Sequence, residues 1–319
     1  MANNSVSVSV IIRTLNEAQY LGDLLSAIAK QRTVNIDLET VVIDSGSTDD
    51  TIKIAEAHGA KLTFIDKRNF TFGRSLNRGC EFSTGKILVF VSGHCVPTDQ
   101  FWLQNLCQPI IDGRVSYCYG GQVGDDTNNF SERRIFARYF PCKSATPQQG
   151  YFCNNANAAI RRDVWGEFKF NEKITGLEDM ELAKRITLGG HLVGYVAEAK
   201  VFHHHDESWS QVRNRFYREA LTMRKIDPGF HLTFPQTLKL ILRSTRQDWI
   251  NAFRINPNAT RYSAMFKYRF NQYFGIYAGL YSKDKLTKGR VSDFYYPDTI
   301  KANELDYWLR PMLRTPKKW

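Results

Sequence analysis

Residues 41–51 join a predicted buried strand to a helix through an acidic turn. Residues 41–43 are three consecutive apolar β-formers (Val-Val-Ile), the pattern of a strand covered on both faces. Gly46 permits a tight bend, and Asp49 is a favourable cap for the following helix. Asp44 is therefore expected at the carboxyl end of a parallel strand, where open α/β sheets bind ligands. Taken alone, the segment is more simply interpreted as an ordinary capped βα turn.

Strand and helix patterns alternate along the first 112 residues. The strand patterns are at residues 6–12, 41–43, 61–65 and 86–91, and the helical patterns are at 20–28, 51–58 and 73–81. This alternation predicts the α/β class, with a mostly parallel, doubly wound sheet. We expect this half of the chain to form a nucleotide-binding face.

The pattern is weaker between residues 114 and 150. Gly120 and Gly121 indicate a loop there, as do residues 125–129. Later elements are predicted as helices at 132–140 and 178–188 and as strands at 192–196 and 200–202.

The net charge of +11 is concentrated near the C-terminus. Residues 231–319 contain 16 Lys and Arg against 6 Asp and Glu, a net charge of +10, together with 17 aromatic residues. We place a boundary near residue 228, which separates a domain at 1–227 from a mainly helical basic and aromatic region at 228–319. That composition suits nucleic acid, an anionic membrane surface or an acidic partner. A basic helical subdomain whose aromatic residues are mostly core is an equal alternative.

Other features narrow the class of protein. The sequence has no apolar run of 18 residues, and its first residues lack the basic and apolar regions of a secretory signal. Six cysteines without C-x-x-C spacing disfavour a disulfide framework or a zinc site. We therefore expect a cytoplasmic protein without a transmembrane helix.

Two adjacent carboxylates, Glu178 and Asp179, stand at the predicted start of the helix at 178–188. The positive end of the helix dipole favours their ionised form, which suits a general base that takes a proton from a hydroxyl. Ordinary acidity at a helix start is the simpler alternative for one such pair.

Histidines follow two of the predicted strands. Because residues alternate between the faces of a strand, His203 and His205 are expected to point in the same direction, toward a divalent metal or a leaving diphosphate. A surface histidine cluster is an equal alternative. His94 follows the fourth strand in Ser92-Gly93-His94 and would lie beside the Asp44 turn, although a single histidine after a strand is usually structural.

These motifs in this order resemble the family 2 glycosyltransferases with the GT-A fold. The resemblance covers residues 6–220. It rests on Arg13-Thr14-Leu15-Asn16-Glu17, Ile43-Asp44-Ser45-Gly46-Ser47-Thr48-Asp49, Arg74, Asn77, Gly79 and Gly85-Lys86, and then on residues 155–162, Gly176-Leu177-Glu178-Asp179 and Val201-Phe202-His203. Ser45 in place of a second Asp, with the basic aromatic tail, looks most like rhamnosyltransferase-type members that build bacterial O-antigen or capsule.

The resemblance implies a donor-nucleotide half at 1–112, an acceptor half at 113–227, and a role for each matching residue. The donor nucleotide sugar would be bound by Thr14, Glu17, Asp44, Arg74, Asn77, Ser92 and His94. The acceptor side would include Asn155, Asn157 and Arg161. Asp179, beside Glu178, would be the catalytic base for in-line attack at the anomeric carbon with inversion, and His203 would bind metal or phosphate.

One motif departs from the family. Its members usually carry Asp-x-Asp after the fourth strand to bind ribose and a divalent cation, where this chain has Ser92-Gly93-His94. Mg²⁺ prefers oxygen ligands, whereas a pair of His94 and His203 better suits Mn²⁺ or another transition ion. Alternatively, the histidines and nearby arginines neutralise the diphosphate without metal. The sequence favours a weak metal requirement.

The leading hypothesis is an inverting transferase that moves rhamnose or another deoxyhexose from a nucleotide-diphospho-sugar. The acceptor would be a hydroxyl of a polyprenyl-diphosphate-linked or growing bacterial polysaccharide, with the protein held peripherally on the inner face of the cytoplasmic membrane by its basic tail. A catalytically silent nucleotide-sugar or glycan-binding subunit is the alternative. Nucleic acid is not an expected partner, because the carboxylates Asp44, Asp49, Glu178 and Asp179 would repel a phosphate backbone.

Overall fold

A computed structural model describes residues 5–125, 128–255 and 261–282 of the chain. The strands are β1 Val6–Thr14, β2 Ile36–Asp44, β3 Lys61–Phe64, β4 Ile87–Ser92, β5 Cys95–Pro97, β6 Tyr117–Val123, β7 Asn157–Arg161 and β8 Val193–His203. The helices are α1 Ala18–Ala29, α2 Thr51–Ala57, α3 Phe72–Phe82, α4 Trp102–Ile111, α5 Phe130–Tyr139, α6 Arg162–Phe168, α7 Glu178–Leu188, α8 Trp209–Ile226, α9 Phe234–Ile255 and α10 Tyr262–Tyr281.

The chain divides into two compact units. The first comprises Met1–Thr127, Phe136–Ile174 and Glu178–His205, and the second comprises Asn128–Ile135, Thr175–Leu177 and Asp206–Trp319. The second unit therefore begins before residue 228, where the sequence suggests a boundary. Helix α8 belongs with the later helices because it packs along α10, a relationship that composition does not reveal.

The first unit is built on an eight-stranded sheet in the order β3-β2-β1-β4-β7-β6-β8-β5. Four neighbouring pairs are parallel (β1–β2, β2–β3, β1–β4 and β6–β8), and β7 is antiparallel to both of its neighbours. Apolar side chains of α1 and α4 cover one face of the sheet, and those of α3, α6 and α7 cover the other. The prediction of an α/β fold with helices on both faces is confirmed.

Gly120 and Gly121 lie within strand β6, so the prediction of a loop at these residues is wrong. A Cβ atom at Gly120 would lie 2.1 Å from the Ala199 carbonyl oxygen and 2.3 Å from Nδ2 of Asn157. The glycine is therefore needed for close packing inside the sheet, whereas glycine pairs in a sequence more often indicate turns. Residues 126 and 127, part of the predicted loop at 125–129, lie outside the described residues.

Strand direction decides which predicted site residues lie at the same end of the strands, which is called here an edge of the sheet. The parallel register aligns Thr14 with Asp44 and Arg13 with Ser92, so these carboxyl ends form one edge. Because β7 runs in the opposite direction, its last residue, Arg161, pairs with Ile87 at the other edge. The topology gathers the donor-side residues and separates Arg161 from them.

In the second unit, α8 and α9 each pack on α10. The aromatic residues of α10 are divided between core and surface: Tyr268, Phe274 and Tyr277 are buried, whereas Phe266 and Phe270 are exposed. Residues 283–319 of the predicted basic aromatic region lie outside the described part of the chain. Among the helices that the structure describes, none combines the length and apolar character needed to cross a membrane.

Candidate functional site

The Asp44 carboxylate organises the turn that follows β2. Its Oδ1 atom accepts hydrogen bonds from the backbone nitrogens of Gly46 (2.8 Å) and Ser47 (2.9 Å), and its Oδ2 atom accepts from the hydroxyls of Ser47 (2.5 Å) and Thr14 (3.2 Å). Asp44 is 1% exposed. A carboxylate offers about four acceptor positions, and here all four accept hydrogen bonds from Thr14 and from residues of the turn itself. Thr14 and Asp44 are adjacent, and Asp44 shapes the surface of the turn.

Asp49 joins the starts of two helices. Its Oδ1 atom accepts from the backbone nitrogen of Thr51 (3.0 Å), and its Oδ2 atom accepts from the backbone nitrogen of Ala18 (3.1 Å). Burial alone would raise the pKa of Asp49, but a hydrogen bond from the Thr51 hydroxyl (2.5 Å) and these two backbone bonds lower it, so the carboxylate stays charged. Asp49 therefore holds the first turns of α1 and α2 together.

Glu17 and His94 form a pair at the end of β4. Oε1 of Glu17 lies 2.8 Å from Nδ1 of His94. A carboxylate at this nitrogen places the ring proton on Nδ1, which makes Nε2 the lone-pair nitrogen. Ser92 is half-buried, and its backbone nitrogen donates to the carbonyl oxygen of Ala156 at 3.3 Å. The predicted donor residues Glu17 and His94 are thus in contact, and Ser92 stands two residues before His94 at the end of β4.

The rings of His203 and His205 lie close to His94 of this pair. The ring centroids of His94 and His203 are 5.1 Å apart, and those of His203 and His205 are 4.1 Å apart. His203 is buried, and its Nδ1 atom lies 2.7 Å from Oε1 of Gln122. The intervening His204 instead stacks on Tyr20 with centroids 4.4 Å apart. The alternation expected along this strand is therefore present.

Cys95 completes a possible ligand set that the sequence-based assignment missed. Ligand atoms of His94, Cys95 and His203 all lie within 4.8 Å of one another. The missed signal is positional, because Cys95 follows His94 directly and pairs in register with His203. Burial, reinforced by the charge of Glu17, raises the pKa of the Cys95 thiol. Two imidazoles and a sulfur fit a transition ion and fit Mg²⁺ poorly.

Asp179 lies in the first turn of helix α7 in a buried position. Its Oδ2 atom accepts from the backbone nitrogen of Asn155 at 2.9 Å, and its Oδ1 atom accepts from the backbone nitrogen of Met180 at 2.8 Å. Burial and the neighbouring charge of Glu178 raise the pKa of Asp179 well above its usual range, despite these hydrogen bonds and the Arg13 charge. A carboxyl group with a raised pKa is suited to accept a proton near neutral pH.

Arg13 is the second residue to which sequence reasoning assigned no role. Its Nη1 atom lies 3.8 Å from Oε1 of the buried Glu178, and its guanidinium lies 4.6 Å from the centroid of the Phe72 ring. The available signal was its place at the carboxyl end of β1, next to Thr14. Arg13 supplies a positive charge beside the carboxylates of Glu178 and Asp179.

Arg74 and Asn77 hold helix α3 to the segment after α6. Nε of Arg74 donates to Oε2 of Glu172 at 2.8 Å. The Asn77 side chain donates to Phe170 O and Glu172 Oε1 and accepts from Trp165 Nε1 and Phe170 N, all at 3.0 to 3.1 Å. Because all four hydrogen-bonding positions of the Asn77 amide are occupied, we assign it a structural role in place of the expected donor contact.

Two of the three residues predicted on the acceptor side, Asn157 and Arg161, do not lie at the site. Asn157 is fully buried; its amide accepts from Trp102 Nε1 (2.9 Å) and donates to the carbonyl oxygens of Gly121 (3.0 Å) and Ala199 (2.8 Å), which is a structural role. Arg161 pairs with Asp163 at the opposite edge of the sheet, so the structure does not place it at the site.

Asn155 does lie at the site. Its backbone contacts Asp179, and its side-chain Oδ1 accepts from the Tyr117 hydroxyl at 2.5 Å. The structure therefore brings Asn155 to the candidate base, whereas Asn157, two residues later, belongs to the core.

Comparisons with known proteins identify the family. The family model for "Glycosyl transferase family 2" matches residues 9–168. The O-antigen chain rhamnosyltransferase RfbN of Salmonella typhimurium is 27% identical over 227 residues, 66% of this chain and 71% of RfbN. The O-antigen chain rhamnosyltransferase WbaN of Salmonella anatum is 27% identical over 203 residues, 59% of this chain and 64% of WbaN.

A solved structure shares the fold. The mannosyltransferase PcManGT from Pyrobaculum calidifontis, solved in complex with GDP-Man and Mn²⁺, superposes with a TM-score of 0.60 at 16% identity and covers 88% of each chain. The family model spans half of this chain and includes the turns after β1, β2 and β4. The chain belongs to glycosyl transferase family 2.

Proposed function

We propose that this glycosyltransferase moves rhamnose or another deoxyhexose from a nucleotide-diphospho-sugar to a hydroxyl of a lipid-linked or growing bacterial polysaccharide, with inversion at the anomeric carbon. The names of the relatives RfbN and WbaN support the sugar and the type of acceptor. Family membership favours an enzyme over the alternative of a silent binding subunit.

The observation that carries the mechanism is the environment of Asp179. It is a buried carboxyl group with a raised pKa, held by two backbone hydrogen bonds at the start of α7. We assign it as the base that takes the proton of the acceptor hydroxyl. As that oxygen forms a bond to the anomeric carbon, the bond from this carbon to the diphosphate oxygen breaks and the nucleoside diphosphate leaves with the electron pair. Burial and the charge of Glu178 together raise the pKa of the base.

The donor is assigned to the edge formed by β1, β2 and β4. Thr14 and the turn shaped by Asp44 face the nucleoside, while Ser92 and the Glu17–His94 pair lie toward the diphosphate. Arg74 and Arg13 supply positive charge. In this arrangement residues 1–112 form the donor half and residues 113–227 form the acceptor half.

His94 and His203 are the residues that would hold a divalent cation. Each ring is held at Nδ1, His94 by Glu17 and His203 by Gln122, and Cys95 lies within reach. A cation bound there would neutralise charge on the departing diphosphate. The two imidazole donors support Mn²⁺ or another transition ion over Mg²⁺, and PcManGT was solved with Mn²⁺.

Substitution of Asp179 tests this proposal. Asp179→Asn should lower sugar transfer by about a hundredfold or more. The same variant should still be stabilised against heat by the UDP-, dTDP- or GDP-sugar that stabilises the unaltered protein. Glu181→Gln, in the same first turn of α7, is the matched control and should leave transfer unchanged. Transfer by Asp179→Asn at the rate of the unaltered enzyme would refute the assignment of the base.

We also propose that the protein is attached peripherally to the cytoplasmic face of the membrane. A polyprenyl-linked acceptor keeps its lipid in the bilayer, so an enzyme that uses it must work at the membrane surface. The basic composition of the C-terminal region supports attraction to anionic lipids.

A further inference from the structure

Helix α9 of the second unit packs through one face and exposes the rest of its surface. Its buried residues recur every three or four positions, at Thr237, Ile241, Thr245, Asp248 and Ala252. This spacing is the pattern of a helix with a single packed face. On that face the Ser244 and Tyr273 hydroxyls lie 2.9 Å apart, and the Asp248 carboxylate is paired with Arg269 on α10.

A row of apolar side chains lies next to the packed face, on the exposed surface. It consists of Leu238, Leu242, Trp249 and Phe253, which are between 40% and 65% exposed. At 3.6 residues per turn these four positions fall within an arc of about 60°. Single exposed apolar residues are common on protein surfaces. An ordered row along one helix instead indicates a surface that contacts a partner or a membrane when the protein functions.

A row of basic side chains runs beside the apolar row. Lys239, Arg243, Arg246 and Arg254 are all exposed and lie on the next arc of the helix. Asp248 is the one acidic residue of α9, and it is buried against Arg269. The exposed surface of α9 therefore carries four positive charges and no negative charge.

We propose that this exposed surface of α9 binds an anionic lipid bilayer. The apolar row enters the boundary between headgroups and acyl chains, and the basic row contacts the lipid phosphates. An apolar stripe flanked by Lys and Arg is the pattern of a helix that lies in the plane of a membrane surface. With 22 residues, α9 is about 33 Å long, which gives it room for several headgroup contacts at once.

Charge complementarity favours lipid over a second copy of this chain. Two copies that met through α9 would bring like charges together, because the basic row belongs to the same surface as the apolar row. The inference deepens the proposed function, since a lipid-linked acceptor places the reaction at a membrane, but it rests on the surface of α9 and does not depend on the chemistry of transfer.

Vesicle binding by the full chain tests the inference. We expect the protein to float with vesicles of equal parts phosphatidylglycerol and phosphatidylcholine and to stay unbound with phosphatidylcholine alone. Leu242→Ser combined with Phe253→Ser should weaken binding about tenfold or more. Arg243→Gln and Arg246→Gln should each weaken it about fivefold, an effect that disappears at high salt.

Matched controls lie on the first unit. Leu188→Ser removes an apolar side chain that is 79% exposed, and Lys30→Gln removes an exposed charge; both should bind as the unaltered protein does. Equal binding of neutral and anionic vesicles, or equal loss in the controls and the α9 variants, would overturn the assignment. Self-association that the α9 variants abolish, without vesicle binding, would assign the surface to a second copy instead. If transfer to a water-soluble acceptor persists while vesicle binding is absent, the lipid surface is refuted and the enzymatic proposal stands.

Discussion

The backbone nitrogen of Asn155 donates a hydrogen bond of 2.9 Å to Oδ2 of Asp179. This bond ties the segment before β7 to the first residues of α7, and it holds the candidate base in a buried position. Because the donor is a backbone group, the orientation of the carboxylate follows from the fold itself.

The pH dependence of transfer follows from the raised pKa of Asp179. A base works only when deprotonated, so kcat/KM should rise with pH, and its inflection should lie well above the value of about 4 of an ordinary carboxyl group. The charge of Glu178 raises the pKa and that of Arg13 lowers it. Glu178→Gln should therefore move the inflection to lower pH, and Arg13→Gln to higher pH. A pH–rate profile of each variant measures this, and an unmoved inflection in both would contradict the role of Asp179.

The second prediction concerns the metal. Removal of divalent ions with EDTA should lower transfer, and Mn²⁺ should restore it better than Mg²⁺ because two of the ligands are imidazoles. Gln122→Ala, which removes the partner of His203 Nδ1, should weaken Mn²⁺ binding about tenfold or more. Titration calorimetry with Mn²⁺ gives the affinity directly. His204→Ala is the control, because the ring of His204 stacks on Tyr20 and not on the other histidines. Full activity after EDTA treatment would rule out a role for the cation.

Asn157→Ala tests the structural role assigned to Asn157. The change removes the partner of the buried Trp102 Nε1 and one hydrogen bond from each of two carbonyl oxygens, so the free energy of unfolding should fall by about 2 to 4 kcal/mol. Urea denaturation measures it. Arg161→Gln, at the opposite edge, should change stability by less than about 1 kcal/mol and leave transfer unaltered. A raised acceptor KM at unchanged stability in Asn157→Ala would restore the acceptor-contact interpretation.

Glu39 provides a prediction about stability and pH. Its carboxylate accepts from Lys61 Nζ (2.6 Å), from the Ser9 hydroxyl (2.5 Å) and from the Thr84 backbone nitrogen (2.5 Å). Burial opposes ionisation, but these hydrogen bonds lower the pKa of Glu39 to about 2. A pKa depressed by folding adds stability above the unfolded value, and this contribution is lost as the pH falls toward 2.

Glu39→Gln should therefore reduce the free energy of unfolding by about 1 to 3 kcal/mol at neutral pH. The difference from the unaltered protein should shrink as the pH falls below 4.5. Urea denaturation at a series of pH values tests this, with the exposed Glu56→Gln as the control. A difference that stays constant down to pH 2 would show that the Glu39 carboxylate does not stabilise the fold through its charge.

Local sequence pattern was sufficient for the elements whose signals are periodic. Runs of apolar β-formers located β1, β2 and β4, and the helix predicted at 178–188 has the bounds of α7. Alternation at the end of β8 also predicts that His203 and His205 point in the same direction, and their rings are 4.1 Å apart although β8 ends at His203. Family membership could also be read from these motifs, since they follow one another in a fixed order.

The sequence alone determined the βα units, the acidic turn at Asp44 and the acidic start of α7. Which nearby residues form the site depends on how distant segments pack together. The tertiary structure places Asn155 beside Asp179 but uses Asn157 to bridge strands, and it moves Arg161 to the far edge because β7 runs antiparallel. It also raises the pKa of Asp179 through burial and the charge of Glu178. Strand direction, burial and the distance between charges depend on segments far apart in the chain, so no local pattern encodes them.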